Sequence, residues 1–194
     1  MTLLLLLLAC QPKIEPGTSA YGDGNSVDCG DLVLDERIDI TASCVDGLCA
    51  DDASYGDLTD AYGEPDACEE REYEDIDGPD LLVAACVWEQ GEGDGLEAVF
   101  FEGLKDLTDE STTSYFVLDE FWSGTDANGL GTNLPMRCFE EVFGPPDDTY
   151  TFDGETWPWH ATWLSVGSFA LFDSRDNGTT QYEQDGLVDG LALY

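Results

Sequence analysis

The sequence predicts an α+β fold: two tandem helix-plus-antiparallel-sheet units forming one curved sheet with helices on one face. Three observations carry this. A turn recurs, as Gly63-Glu64-Pro65-Asp66 and Gly144-Pro145-Pro146-Asp147, at an offset of 81 residues. Each copy follows a short segment with apolar residues at i, i+3 and i+4, and precedes strand-like runs that carry a tryptophan. The apolar and aromatic fractions, 42% and 11%, supply a core that a disordered chain would lack.

The chain of 194 residues divides into four segments. Residues 1–9 read as a signal peptide: Met1 and Thr2 precede six leucines and Ala9. That apolar run is too short to span a bilayer and suits a secretory signal. Leu7-Leu8-Ala9-Cys10 resembles the bacterial lipobox, which implies lipidation of Cys10. Gln11 is not the aspartate that the resemblance associates with inner-membrane retention. Residues 10–31 form the lipid anchor and a flexible acidic tether, rich in Pro and Gly and almost without apolar periodicity. Residues 32–122 and 123–194 are the first and second α/β repeat units.

Within each unit the elements follow in order. Leu58, Ala61 and Tyr62 line one side of a short helix, and Phe139, Val142 and Phe143 do so at the same offset of 81. A glycine ends each helix and a proline two residues on prevents its continuation. Strand runs 82–89 and 96–102 follow in the first unit, and 159–166 and 168–173 in the second. Runs 114–121 and 187–194 close the units, and 36–41 is an extra strand leading into the first. Asp46-Gly47-Leu48 corresponds to Asn128-Gly129-Leu130 at offset 82, Trp88 to Trp163 at 75 and Phe101 to Phe172 at 71.

The charge excludes several functions. With 43 Asp+Glu against 6 Lys+Arg, the formal charge is -37. A nucleic-acid binder needs a basic stripe, and docking on anionic lipid needs basic protein charge. His160 is the single histidine, so multi-histidine metal sites are excluded and no metal is expected. No nucleophile motif accompanies it, the carboxylates are scattered through turns, and no catalytic residue or cofactor is assigned.

Seven cysteines become six once Cys10 carries lipid, and an even count in an exported chain reads as disulfides. Six cysteines allow fifteen pairings. Cys68 and Cys86 are an expected pair, since a chain can leave a helix and return on a strand between them. Cys44 with Cys49 is a second guess, which leaves Cys29 and Cys138.

A helix, a G-x-P-D turn, a strand with tryptophan, then a strand ending in Phe and an acidic turn resemble one known repeat. It is the α/β unit of the SmpA/OmlA-type outer-membrane assembly lipoproteins, whose fold is shared by β-lactamase inhibitory protein. The resemblance covers about residues 46–194 and implies one curved sheet with helices on its convex side.

Alternation along strands assigns the faces. A Cys68–Cys86 bond turns Cys86, Ala84 and Trp88 toward the helices, and with them Ala98, Phe100, Trp159, Ala161, Trp163, Phe169 and Leu171. The open face is then expected to hold Val99, Phe101, Phe116, Leu118, His160, Leu164, Phe172 and Tyr194 as a partner-binding surface. The acidic segments 69–80 and 103–113 are candidate covers for it. The expected function is a non-enzymatic protein-interaction module. It would be held on a bacterial envelope, as an outer-membrane lipoprotein, by its lipid alone, and its unknown partner would be basic. A structural envelope lipoprotein adapted to a saline or cation-rich setting is the alternative, and an acid/base hydrolase a weaker one.

Overall fold

The structure, a computed structural model, describes residues 29, 34–73, 81–151, 159–164, 169–173 and 187–194, with backbone alone at 73, 150–151, 159–160 and 171–173. Helix α1 (Tyr55–Tyr62) starts where Ser54 and Asp57 cap each other: the Asp57 N–H donates to Ser54 Oγ at 3.1 Å and the Ser54 N–H to Asp57 Oδ2 at 2.9 Å. The first helical N–H groups have no partner within a helix. Tyr55 and Gly56 donate theirs to the carbonyls of Ser111 and Asp109, at 2.8 and 3.0 Å. Helix α2 (Met136–Phe143) starts at Pro135. The helices stop at Gly63 (φ 84°) and Gly144 (φ 81°), conformations that favour glycine.

Eight strands form one antiparallel sheet. They are β4 (Ala67–Tyr73), β5 (Leu81–Trp88), β6 (Leu96–Phe100), β7 (Tyr115–Asp119), β8 (Asp148–Thr151), β9 (Trp159–Trp163), β10 (Phe169–Asp173) and β11 (Gly190–Leu193). Their spatial order is β4-β5-β6-β7-β11-β10-β9-β8. In the chain α1 precedes β4 to β7 and α2 precedes β8 to β11. The two sets of four meet where β7 pairs β11, with Val117 opposite Ala192. Just before each helix an isolated bridge forms, Ser54 to Thr112 and Pro135 to Leu187. A separate sheet holds β1 (Ile38–Asp39), β2 (Cys44–Val45) and β3 (Leu48–Cys49). Asp46 and Gly47 turn β2 into β3 with φ of 50° and 83°, the two positive angles that a tight hairpin turn requires.

Register aligns side chains across the sheet. Cys68, Cys86, Ala98, Phe116, Leu193, Phe169 and Trp163 form one continuous row of partners. Trp88, Leu96, Leu118 and Leu191 form the next row of that face. These residues share one core with Leu58 of α1 and with Met136 and Phe139 of α2, so both helices cover the same side. Trp88 and Trp163 are buried, and each indole N–H donates at 2.9 Å to a helix-ending glycine carbonyl, Gly63 and Gly144 respectively.

Several sequence expectations are corrected. The sequence predicts no strand at 67–73 or 148–151, where β4 and β8 form. β4 reads Ala-Cys-Glu-Glu-Arg-Glu-Tyr, and its charges suit an exposed edge, where they discourage pairing with another chain. Residues 69–73 of the expected acidic cover are therefore strand, and 74–80 lie outside the described residues. Residues 108–113 do not cover the open face either, because Ser111 and Asp109 cap α1 and Thr113 donates to Ala53. The strand expected at 36–41 shrinks to β1, which joins the small sheet. Trp88 faces Leu96 and Trp163 faces Phe169, so the β6-to-β10 offset is 73 and not 71. That shift of two leaves the strand parity unchanged.

Candidate interaction surface

The open face is built by residues alternating with the core rows. Val87, Glu97, Val117, Ala192, Ala170, Thr162 and Asp148 make one row. Ala85, Val99, Tyr115 and, just past β11, Tyr194 make the next. Val83, Ala85, Val99 and Tyr115 form a second apolar cluster, with Val117 and Tyr194 packed against it. Ala170 and Ala192 continue it across β10 and β11.

The expected contact residues separate. Phe116 and Leu118, expected on the open face, are 0% exposed and lie in the core beneath the helices. Their partners are Ala98 and Leu96, which fix their direction. Val99 is on the open face but only 1% exposed, so it supports the surface and does not present itself to a partner. Phe101 and Leu164 are exposed, at 47% and 52%. Tyr194 is half-buried. His160 and Phe172 are Cα partners across β9 and β10; their side chains, like Cys10, lie outside what is described.

Three aromatic rings step across this face. Phe101 meets Tyr115 edge to face at 6.2 Å, and Tyr115 meets Tyr194 at 5.6 Å. Such contacts fix ring orientation beyond simple burial. Beside them Arg71 donates to both carboxylate oxygens of Glu97, each at 2.9 Å, and to Glu69. Arg71 lies on β4 and Glu97 on β6, so the guanidinium crosses β5, where Ala85 is small enough to allow it. Burial works against the Arg71 charge, but Glu97 and Glu69 more than compensate and raise its pKa.

Sequence reasoning missed a second polar cluster. Arg37 donates to Asp46 Oδ1 at 2.9 Å and Oδ2 at 2.6 Å, and to the Glu92 carbonyl at 2.6 Å. Its guanidinium also sits 4.3 Å from the centre of the Trp122 ring. Tyr62 donates to Asp46 Oδ2 at 2.7 Å. Burial would raise the Asp46 pKa, yet the hydrogen bonds from Arg37 and Tyr62 and the Arg37 charge hold it below the usual range. Burial, then the bond to Asp46, push the Tyr62 hydroxyl well above its ordinary value. These groups line a shallow cavity of about 400 Å³ with Ala61 and Glu92. They tie the small sheet to α1. The one sequence signal was the scarcity of cations, which makes each arginine beside a carboxylate informative.

The sulfurs join Cys68 to Cys86, Cys44 to Cys49 and Cys29 to Cys138. The first two pairs are also Cα partners in adjacent strands. Three disulfides indicate an oxidising compartment, extracellular or periplasmic. Among the described residues no helix is long and apolar enough to cross a membrane, and no cluster of His, Cys, Asp or Glu is placed to hold a metal.

No protein-family model and no curated protein matches the chain. Among solved structures it is similar to the uncharacterized protein yfeY from Escherichia coli. That match has a TM-score of 0.45 and 11% identity, and covers 84% of this chain and 98% of that one. It is also similar to a DUF4309 family protein (YjgB) from Bacillus subtilis subsp. subtilis str. 168. There the TM-score is 0.42 and the identity 16%, over 76% of this chain and 82% of that one.

Proposed function

We propose that this chain is an exported, lipid-anchored, non-enzymatic module that binds a protein partner through the open face of its sheet. The observation that carries the reading is Phe101: the residue is 47% exposed, yet its ring is held edge-on against the buried Tyr115, on the face the helices leave uncovered. A large aromatic that is both accessible and fixed makes an effective anchor, because little freedom is lost when it docks. Leu164 and Tyr194 extend the same surface. The lipid is assigned to Cys10 from Leu7-Leu8-Ala9-Cys10, and an outer-membrane position follows from Gln11.

The scaffold is read as two tandem copies of one helix-plus-four-strand unit. The matched glycine-ended helices, the matched tryptophan-to-glycine hydrogen bonds and the pairing of β7 with β11 support this.

The test is capture from detergent-solubilised envelopes with immobilised wild-type protein and with Phe101→Ala and Leu164→Ala. A discrete partner that is retained by the wild type and lost from both variants is expected. Equal capture by all three removes the open face as the contact. Mass spectrometry should find a diacyl- or triacyl-modified Cys10; an unmodified Cys10 inside a longer chain removes the anchor.

A further inference from the structure

β4 is an edge of the eight-strand sheet: among the described residues it has a strand neighbour on one side alone, β5. Its other side offers the backbone N–H and C=O groups that a further strand would bond. It has seven residues, against four in β8 at the opposite edge. β4 is also firmly held. The Cys68–Cys86 disulfide joins it covalently to β5. Arg71 reaches across β5 to both carboxylate oxygens of Glu97 on β6, each at 2.9 Å. The Leu104 N–H donates to Glu70 Oε2 at 3.2 Å. A strand tied at three points keeps its free edge in strand geometry, so little conformational freedom is left to lose when a partner pairs with it.

The charge of this edge is one-sided. Register puts Glu69 and Arg71 on the open face, opposite Ala85 and Val83, and Glu70 and Glu72 on the helix side, opposite Ala84 and Leu82. The three glutamates are exposed. Arg71, the one cation of the strand, is drawn inward by Glu69 and Glu97, and its side chain is 16% exposed. An incoming strand therefore meets carboxylates on both faces of the sheet.

We infer that the free edge of β4 docks an extended, cationic protein segment, which adds to the sheet as a further strand. This rests on the reading of the chain as a protein-binding module and gives it a second contact beside Phe101. Backbone hydrogen bonds supply the attachment, and the glutamates choose the sequence. Directly opposite side chains lie about 4.5–5.5 Å apart, where unlike charges attract and like charges destabilise. In antiparallel addition, the pairing found throughout this sheet, successive residues of the segment lie opposite Glu72, Arg71, Glu70 and Glu69. The matching order is cation, apolar residue, cation, cation. A second copy would set glutamates against glutamates and bring together two chains of charge -37. The charges that keep most strands from this edge thus admit one kind.

The test uses a fluorescent heptapeptide, Thr-Lys-Val-Lys-Lys-Val-Thr, followed by anisotropy at about 0.15 M salt and up to about 1 mM protein. Two further peptides carry backbone N-methyl groups at their odd or at their even positions. Successive N–H groups of a strand point to opposite edges. Strand addition is therefore expected to be lost, at least about tenfold, for one methylated peptide and kept for the other. Glu72→Lys should weaken binding at least about fivefold, and Phe101→Ala less than about twofold. Amide exchange should slow in β4 when the peptide binds. Circular dichroism melting of each variant establishes that it is folded.

Equal affinity of all three peptides would mean attraction by charge alone and would overturn the edge as a site. Exchange slowed in β8 and not in β4, or binding lost on Phe101→Ala and kept on Glu72→Lys, would also overturn it, while the module reading stands. Dimerisation of the wild type with exchange slowed in β4 and no peptide present would make the occupant a second copy and overturn the inference. No peptide binding at all would overturn it too. Joined with equal envelope capture by wild type, Phe101→Ala and Leu164→Ala, that result would end both readings.

Discussion

Trp88 donates its indole N–H to the carbonyl oxygen of Gly63 at 2.9 Å, tying the second strand of the large sheet to the end of α1. Trp163 makes the same bond to Gly144 at the end of α2. Removing only the N–H, as Trp88→Phe or Trp163→Phe, should destabilise by about 1–2 kcal/mol, the net value of one hydrogen bond plus a small packing loss. Trp88→Ala should cost roughly 3–5 kcal/mol, as other core aromatic truncations do. Urea unfolding of the variants measures both. A Trp88→Phe protein as stable as wild type would show that packing alone joins strand to helix.

Phe101→Ala and Phe116→Ala contrast the two faces. Phe116 is 0% exposed in the main core and its truncation should cost about 3–5 kcal/mol. Phe101, 47% exposed, should cost less than about 1 kcal/mol. Matched denaturation curves decide this. Equal losses would mean that Phe101 is as firmly packed as the core.

Asp46 gives a pH dependence. Its pKa in the folded chain is depressed, so its stabilising contribution is complete above the unfolded value of about 3.9. The contribution fades as pH falls through the lower folded pKa. The stability difference between wild type and Asp46→Asn should therefore be largest near neutrality and shrink below about pH 4. The difference is the quantity to measure, because acid also relieves repulsion among the other carboxylates. A constant gap from pH 7 to pH 3 would place the role of Asp46 in shape and not in charge.

The disulfides should not contribute equally. Cys29–Cys138 spans 109 residues and Cys44–Cys49 spans 5. In the chain-entropy model the long loop is worth about 5 kcal/mol and the short one about 2. Paired serine replacements, compared by thermal and denaturant unfolding, should keep that order. The reverse order would mean that native-state contacts of the small hairpin outweigh loop closure.

Salt should raise the melting temperature, because the net charge of -37 makes the folded chain repel itself. The screening length shortens from about 8 Å at 0.15 M to about 3 Å at 1 M. Divalent cations should act more strongly than monovalent ones at equal ionic strength if neighbouring carboxylates share an ion. Scanning calorimetry across that range checks it, and a flat profile would show that the charges are already far enough apart.

The sequence by itself determined which residues alternate within a strand and where the chain turns. Glycine followed by proline marked both helix ends, since neither residue permits continuation. The expected bond to Cys68 placed Cys86, and by alternation Trp88, on the helix face of the sheet, and Ala98, Phe169 and Trp163 followed from it. Absolute phase was a tertiary matter. A long connection separates β6 from β7, and a slip of one residue there inverts every side chain. Only the pairing of Phe116 with Ala98 and of Leu118 with Leu96 sent both inward. β4 carries Glu69, Glu70, Arg71 and Glu72 with no apolar alternation, and it is a strand because the edge of β5 offers it hydrogen bonds. Arg37, Asp46 and Tyr62 are assembled by chain segments that only folding brings together. Local periodicity records what each residue prefers, whereas the neighbour each one meets is fixed by register across strands distant in the chain.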